Sequence, residues 1–313
     1  KEQEKKDALA DEAEKRKTVW MIGVSAVLLV VTLFTIFLFT RFRIIRRQKS
    51  IIEQQKILVE EKSREVFDSI TYAKRIQYTL LAHDSFLQQH LPEHFILFQP
   101  KDIVSGDFYW ATLAINAEEE KLYLAVCDST GHGVPGAFMS LLNISFLNEA
   151  ITEKRITAPN LILDYVRERL IGSVSQEGAQ DGMDGVLLCI DKSSGKVSYS
   201  AANNSPMIVR AGEVIECASD KMPIGKGERI APFSLHQLDL KKGDMLYLFT
   251  DGFADQFGGE KGKKFTTKRL RQLLLSVSSL PANEQYTAIR KTFEDWKGNL
   301  EQVDDILLIG IKV

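Results

Sequence analysis

The sequence Val126-Cys127-Asp128-Ser129-Thr130-Gly131-His132-Gly133 is the most informative segment of this 313-residue chain. An apolar run, 122–127, leads into Asp128, and the small residues Pro135-Gly136-Ala137 follow the segment. The apolar run predicts a strand, and small residues crowded after it let the backbone approach a ligand closely. The segment therefore predicts a junction between a strand and a helix with a carboxylate on the ligand side.

Three further aspartates lie in short motifs that also flank predicted strands. They are Asp107 in Ser105-Gly106-Asp107-Phe108-Tyr109-Trp110, Asp251 in Phe249-Thr250-Asp251-Gly252, and Asp304 in Val303-Asp304-Asp305-Ile306. Three of the four acids stand where a strand begins or ends, so a sheet can bring them to one edge. Taken singly, Asp251 is equally compatible with a turn and Asp304-Asp305 with a strand-entry cap.

Carboxylates gathered at one edge of a sheet need a positive charge that offsets their mutual repulsion. Two like charges about 4 Å apart repel by roughly 4 kcal/mol at an effective dielectric near 20, and these motifs contain no lysine or arginine. Hard oxygen ligands suit Mg²⁺ or Mn²⁺, and the chain has no Cys/His cluster of the kind that favours zinc. His132 alone is better explained as a hydrogen-bonded structural imidazole.

The motifs in this order resemble those of the PPM-type metal-dependent protein serine/threonine phosphatases, in particular the SpoIIE-like bacterial signalling branch. The resemblance runs from about Leu91 to Val313. Further landmarks are Asp181-Gly182-Met183-Asp184, Ala201-Ala202-Asn203-Asn204-Ser205-Pro206, Met222-Pro223-Ile224-Gly225 and Asp255-Gln256-Phe257-Gly258-Gly259. Ser105 stands where a second glycine is usual, and Asn203-Asn204 replaces a glycine-histidine pair. Neither departure removes a carboxylate.

The resemblance implies a site with two divalent cations, Mn²⁺ or Mg²⁺, and a bridging water that attacks phosphoserine phosphorus in line. On this chain Asp128 would be the catalytic bridging ligand, with the Ser129 carbonyl beside it. The remaining implied metal ligands are Asp107, Asp251 and Asp304. Asp305 either supports these ligands or replaces Asp304, and Asp181 or Asp184 is either structural or contacts a further, weaker metal.

The implied substrate is a phosphorylated protein, which in this family is often an anti-sigma-factor antagonist. No protein nucleophile is needed, and Cys127, Cys189 and Cys217 are unclustered and lie in apolar, strand-like contexts. The basic run Lys261-Gly262-Lys263-Lys264 either attracts a phosphoprotein or is a solvated loop. A net charge of −2 gives no reason to expect nucleic acid.

Residues 19–40 contain no charged side chain and predict a transmembrane helix. At 1.5 Å per residue this helix spans about 33 Å, against a hydrocarbon core of about 30 Å. The run is too long for a signal peptide, and no small-residue cleavage site closes it. Residues 1–18 are predicted to end an upstream helical region, because the first residue is Lys1 rather than methionine and the stretch to Lys17 is charged and contains alanine.

Basic residues flank the predicted span on both sides, with a small excess after it: Lys15, Arg16 and Lys17 precede it, and Arg41, Arg43, Arg46 and Arg47 follow it. The family resemblance implies a cytoplasmic catalytic domain. The prediction is therefore a single pass through a bacterial inner membrane, with the catalytic domain on the cytoplasmic side.

Residues 41–88 contain no proline or glycine and predict a continuous linker helix. Apolar residues recur every seven positions: Ile45, Ile52, Val59, Val66, Ala73 and Leu80. A coiled coil also needs an apolar column three residues further on. That column starts with the polar residues Gln48, Gln55, Lys62 and Ser69, so the predicted coiled-coil seam is imperfect. The pattern predicts a homodimer formed through this linker. The alternative is an amphipathic spacer packed on its own phosphatase domain.

Residues 89–313 predict an α+β domain. Strand-like runs at 95–98, 108–115, 122–127, 186–190, 196–201, 207–210, 214–218, 245–250 and 306–313 mix with helical patterns at 135–152, 160–174, 266–276 and 283–296. Asp191–Gly195 and Lys241–Asp244 look like hairpin turns, which predicts antiparallel pairing. The family resemblance implies that this domain is an αββα layered sandwich.

Two alternative functions stay open. A metal-dependent nucleotidyl cyclase also gathers aspartates around two cations, but the chain lacks a nucleotide-binding glycine loop. A catalytically silent signalling scaffold at the membrane would have no need for four mutually repelling acids.

The linker seam generates the first testable prediction. Replacing Ile52 and Val59 with aspartate places charges in the predicted seam, so the dimer fraction of the full chain in detergent should fall severalfold in crosslinking. The matched control, Ser50→Asp with Gln54→Asp, adds the same charges on the opposite side of the helix, outside both seam columns, and should leave crosslinking unchanged. Equal yields from both variants would remove the coiled-coil interpretation.

Overall fold

The computed structural model describes residues 1–115, 119–174 and 181–313. The chain forms two compact units, residues 1–67 and residues 68–313. The helix α1, Glu2–Leu80, begins in the first unit and ends in the second. All side chains of residues 1–67 are exposed, including the apolar run 19–40.

Two helical segments among the described residues are long and apolar enough to cross a membrane. One lies in α1 and the other is Gly133–Glu153. More than half of the apolar window in the second segment is buried inside the protein, as expected for a core helix. Of these two described segments, the one in α1 is therefore the one whose apolar stretch is not buried against the protein.

The predicted continuous helix over 41–88 is wrong at its C-terminal end. Helix α1 ends at Leu80, and a separate helix α2 covers Asp84–His90. The break occurs because Leu81 and Ala82 turn into the core, where they are 4% and 8% exposed. The burial of these two apolar side chains is favourable, and it interrupts the helix between Leu80 and Asp84.

The described residues of the second unit form thirteen strands. They are β1 His94–Gln99, β2 Asp107–Ile115, β3 Glu120–Ser129, β4 Gly182–Asp191, β5 Val197–Ala202, β6 Met207–Arg210, β7 Glu213–Glu216, β8 Ile224–Gly225, β9 His236–Leu238, β10 Met245–Phe249, β11 Phe257–Gly258, β12 Lys263–Lys264 and β13 Ile306–Lys312.

Within the part of the chain that the structure describes, five further helices follow α2. They are α3 Gly133–Asn148, which continues into a π-helical turn at Glu149–Glu153, α4 Pro159–Ser173, α5 Gly252–Asp255, α6 Thr267–Val277 and α7 Ala282–Lys297. The four longer ones confirm the helical patterns found in the sequence. The short strands β8, β9, β11 and β12 have no clear sequence pattern, because two or three residues cannot show a periodicity.

The strands form two main antiparallel sheets. The first has the order β1-β13-β10-β6-β7, and the second has the order β2-β3-β4-β5-β9 with β8 beside β4. Helices α6 and α7 cover the first sheet, while α3 and α4 cover the second. This arrangement is the predicted α+β sandwich with four layers.

The strand β10 shows how the two-residue period builds these layers. Leu246 and Leu248 join the core cluster that contains residues of the second sheet, such as Val186. Tyr247 and Phe249 join the cluster formed with α6 and α7. Since both faces of β10 are covered, all five of its residues are buried.

One predicted hairpin is wrong. Strands β4 and β5 pair across Asp191–Gly195 as expected, but the turn Lys241–Asp244 connects β9 in the second sheet to β10 in the first. Asp244 fixes this crossing, because its carboxylate accepts a hydrogen bond from the Lys241 N–H (2.8 Å) and pairs with Arg210 (2.6 Å). A turn sequence indicates that the chain reverses, but not which sheet it enters.

Candidate metal centre

Three aspartates lie side by side on neighbouring strands of the second sheet. Asp107 on β2 is the cross-strand partner of Asp128 on β3, and Asp128 is the partner of Asp184 on β4. Directly opposed residues have Cβ atoms about 4.5–5.5 Å apart and their side chains on the same face. The antiparallel register therefore produces a row of three carboxylates.

The first sheet contributes the other two acids. Asp251 follows the end of β10, and Asp304 precedes the start of β13, which pairs with β10. The two ends are adjacent because the Thr250 N–H donates to the Leu307 carbonyl (3.0 Å). Thr250 also links the two sheets, since its hydroxyl donates to Asp107 Oδ2 (2.7 Å).

Asp305 has a supporting position. It is 2% exposed, and its two carboxylate oxygens accept hydrogen bonds from the backbone N–H groups of Lys101 (2.7 Å) and Gly106 (2.8 Å). Asp304 instead lines the cavity beside Asp128. Of the two adjacent acids, Asp304 thus has the position of a ligand, and Asp305 holds the loop before Asp107.

A cavity of about 410 Å³ opens over the acid row. Its described lining includes Asp128, Ser129, His132, Asp184 and Asp304. The Ser129 hydroxyl is buried and accepts a hydrogen bond from Asn143 Nδ2 (3.0 Å). The structure thus places four of the predicted site residues, Asp128, Ser129, Asp184 and Asp304, in the lining of one cavity. Asp107 is buried, and Asp181 and Asp251 are not among the described lining residues.

The acids strongly perturb one another. Burial, and then the negative charge of Asp128, raise the pKa of Asp107 well above its usual range, although the Thr250 hydrogen bond opposes this. Burial, Asp251 and Asp304 raise the pKa of Asp128 to about 8. Desolvation is also the main cause that raises the pKa values of Asp184 and Asp251. Such shifts are typical of functional sites.

The donor set fits divalent cations. Carboxylate oxygens from two sheets face one cavity, and within the described part of the chain no lysine or arginine forms an ion pair with Asp107, Asp128 or Asp251. Over residues 1–115, 119–174 and 181–313, no three acidic, histidine or cysteine side chains converge into a preassembled cage.

Two polar pairs border the cavity. His132 Nδ1 lies 3.0 Å from Asp102 Oδ2, which is consistent with the structural imidazole expected from the sequence. Asn203 Nδ2 donates to Asp184 Oδ1 (2.9 Å), and Asn203 adopts a left-handed backbone conformation with φ of 56°. The asparagine at this unusual position thus orients one acid of the row.

Gln77 is a site residue that the sequence did not reveal. It lies in the last turn of α1, is fully buried, and donates from Nε2 to the Ser105 carbonyl (2.6 Å) and to Ser140 Oγ (2.8 Å). Its Oε1 accepts the Ser105 N–H (3.2 Å). A glutamine in a helix rich in charged residues gives no signal of burial, because the partner groups come from distant parts of the chain.

Gly106 explains why a glycine must precede Asp107. A Cβ atom at this position would lie 2.3 Å from the Gly131 carbonyl oxygen. The loops before Asp107 and after Asp128 therefore pack backbone against backbone. Ser105, which departs from the family pattern, is fully buried: Gln77 satisfies both of its backbone polar groups, whereas its hydroxyl has no hydrogen-bond partner among the described residues.

The raised pKa values give a prediction for the metal-free protein. Between about pH 4 and pH 8 the folded state holds a proton on Asp128 that the unfolded state releases. Because the folded state binds more protons, its free energy of unfolding should fall as pH rises, by at most about 1.4 kcal/mol per pH unit for one group. Urea unfolding in EDTA at pH 5, 6, 7 and 8 measures this slope. The free energy of unfolding of the variant Asp128→Asn should depend less on pH. A free energy of unfolding that rises with pH in the wild type would contradict the raised pKa of Asp128.

Comparisons with known proteins agree with this geometry. A family model described as Stage II sporulation protein E (SpoIIE) matches residues 118–313. The SiaA-PP2C domain of Pseudomonas aeruginosa is 31% identical, with a TM-score of 0.71, and the match covers 80% of this chain and 98% of that domain. No curated protein matches the chain.

Two more distant structures share the fold. The PP2C phosphatase domain of SpoIIE from Bacillus subtilis, solved with a regulatory fragment, is 18% identical, with a TM-score of 0.55 and coverage of 71% of this chain and 63% of that one. The RsbU and RsbW domains of a Mycobacterium tuberculosis protein are 21% identical, with a TM-score of 0.55 and coverage of 71% and 60%. The match to the SpoIIE family model and the similarity to the SiaA-PP2C domain show that the chain belongs to the SpoIIE family of PP2C-type (PPM) phosphatases.

Proposed function

We propose that this protein is a membrane-anchored protein serine/threonine phosphatase that depends on Mg²⁺ or Mn²⁺. The observation that carries the proposal is the cavity where carboxylates from two sheets meet without a cationic side chain paired to Asp107, Asp128 or Asp251 in the described residues. Family membership sets aside the nucleotidyl cyclase. A silent scaffold would have no use for such a set of acids.

In this proposal Asp107, Asp128, Asp251 and Asp304 would hold two cations, with Asp128 as the ligand common to both and the Ser129 carbonyl as a further ligand. Bound divalent cations supply Lewis acidity at phosphoryl oxygens and lower the pKa of a water molecule. The protein contributes the placement of the ligands. Thr250 orients Asp107, Asp305 fixes the loop at Gly106, and Asn203 orients Asp184, which we assign to a weaker third site.

The substrate in this proposal is phosphoserine or phosphothreonine on a signalling protein, of the anti-sigma-factor antagonist type. The cavity of about 410 Å³ admits a phosphorylated side chain, and its open mouth leaves the rest of the partner outside. None of the three cysteines is suited to act as a nucleophile, because burial raises the thiol pKa of Cys127, Cys189 and Cys217. A reaction that uses water fits this site better than one that uses a thiolate.

The anchor in this proposal is the apolar part of α1. A helix with charge-free residues 19–40 and no protein partner in the structure suits a bilayer. We place the catalytic unit on the cytoplasmic side of a bacterial inner membrane. The exposed apolar residues that recur every seven positions from Ile45 to Val66 are assigned to a homodimer seam.

The catalytic assignment predicts metal-dependent hydrolysis. Full-length protein in detergent should release p-nitrophenol from p-nitrophenyl phosphate with Mn²⁺ or Mg²⁺, and EDTA should stop the reaction. Asp128→Asn should lower turnover by about a hundredfold or more, because it removes a negatively charged ligand of the cations that would stabilise the transition state. His132→Ala is the control and should keep measurable Mn²⁺ binding in calorimetry. Equal activity in wild type and Asp128→Asn would remove the two-metal assignment, and no activity in any condition would favour the scaffold.

Gln77 links the end of α1 to the ligand loop and gives a separate prediction. Gln77→Leu leaves the Ser105 N–H and carbonyl buried without partners, so the loop before Asp107 should loosen and Mn²⁺ affinity should fall by about 10- to 100-fold. The control Gln88→Leu removes an exposed glutamine hydrogen bond to the Pro92 carbonyl and should keep wild-type affinity. Calorimetry at temperatures below the unfolding of both variants makes the comparison. Wild-type affinity in Gln77→Leu would show that this contact only stabilises the fold.

A further inference from the structure

A basic hairpin stands beside the metal centre. It consists of β11, β12 and the turn between them, residues 257–264, and is called the lysine hairpin below. Lys261, Lys263 and Lys264 are exposed on it, and Glu260 is its one acidic residue. From Asp255 to Arg269 the sequence holds five basic and two acidic side chains. The lysine hairpin is therefore a local cationic surface on a chain whose net charge is negative.

The position of the lysine hairpin follows from two hydrogen bonds. Lys264 Nζ donates to Asp255 Oδ2 (2.8 Å), and the Asp255 N–H donates to the Asp251 carbonyl (2.9 Å). Asp255 ends the short helix α5 that begins directly after Asp251. The hairpin is thus attached one helical turn from Asp251, an acid of the metal centre.

The hairpin is anchored rather than free. The Gly259 N–H donates to the Trp296 carbonyl (2.8 Å), and Trp296 Nε1 donates to the Gln256 carbonyl (3.1 Å). A Cβ atom on Gly258 would lie 1.9 Å from the Trp296 carbonyl oxygen, so only glycine allows this packing. Phe265, which follows the hairpin, is buried edge-to-face against Trp296.

The lysines differ in their availability. Lys264 is engaged by Asp255, whereas Lys261 and Lys263 form no ion pair with any of the described residues. A rigid backbone presents these two ammonium groups to solvent, so a partner need not order the backbone when it binds. Charges at the rim of a site act mainly on encounter rate and on discrimination between partners.

We propose that the lysine hairpin is the substrate-selecting surface of the phosphatase and binds acidic residues that flank the phosphoserine of the protein substrate. The inference rests on the proposed function, since it assigns a partner chemistry to the same site. Lys261 and Lys263 attract the flanking carboxylates. Lys264, held by Asp255, keeps the hairpin next to Asp251.

The test compares two phosphoserine peptides of equal length, one with three aspartates on each side of the phosphoserine and one with asparagines. Full-length protein in detergent with Mn²⁺ should hydrolyse the aspartate peptide with a kcat/KM about fivefold to tenfold higher at low salt, and 0.5 M NaCl should largely remove this preference. The variant Lys261→Ser with Lys263→Ser should lose the preference. Its turnover of the asparagine peptide and of p-nitrophenyl phosphate should stay at the wild-type level.

The matched control is Lys241→Ser with Lys242→Ser. These exposed lysines precede β10, whereas Asp251 follows it, so they lie at the opposite end of the strand, about 13 Å or more away. This variant should keep the full preference for the aspartate peptide. If it loses the preference to the same extent, general positive charge rather than the hairpin is responsible and the proposal is wrong.

The remaining outcomes separate the two proposals. Equal kcat/KM for both peptides in wild type, with normal hydrolysis of p-nitrophenyl phosphate, would overturn the assignment of the hairpin and leave the phosphatase intact. An equal loss on all three substrates in the hairpin variant would also overturn it, because it would indicate a structural effect. Absence of hydrolysis for every substrate would remove the proposed function and this inference with it.

Discussion

The repulsion among carboxylates at the meeting edge of two sheets is the constraint on which the rest of the catalytic unit depends. Asp107, Asp128 and Asp184 are neighbours in one sheet, and Asp251 and Asp304 extend from the other. Burial makes the repulsion expensive, as the raised pKa of Asp128 shows. Because Asp107, Asp128 and Asp251 have no paired lysine or arginine among the described residues, other groups must hold these acids in place.

The fixing groups are neutral and come from remote parts of the sequence. The Thr250 hydroxyl joins Asp107 to the opposite sheet, and backbone N–H groups occupy both oxygens of Asp305. Gln77 satisfies the loop before Asp107 from the end of a helix. Hydrogen bonds of this kind hold a carboxylate in place without cancelling its charge, which preserves the electrostatic attraction for divalent cations.

The same edge of the fold places a cationic surface next to an anionic centre. Asp251, the helix α5 and Asp255 connect the metal centre to the lysine hairpin over a few residues. In the proposed function, the acids attract metal ions and the neighbouring lysines attract an acidic protein. In contrast, the apolar stretch of α1 belongs to a different unit, and its exposed surface is the basis for the proposed membrane anchor and helix dimer.

The sequence determined the elements that depend on local pattern. The long helices, the main strands and the four aspartate motifs follow from periodicity and turn chemistry, and a charge-free run of 22 residues is visible without a structure. The tertiary structure decided the features that depend on distant partners. The helix break at Leu81, the crossing between sheets at Lys241–Asp244, the burial of Gln77 and the supporting position of Asp305 each arise from contacts with residues far away in the chain. Local sequence fixes the conformations that a segment prefers, whereas packing and hydrogen-bond satisfaction decide which neighbours it meets.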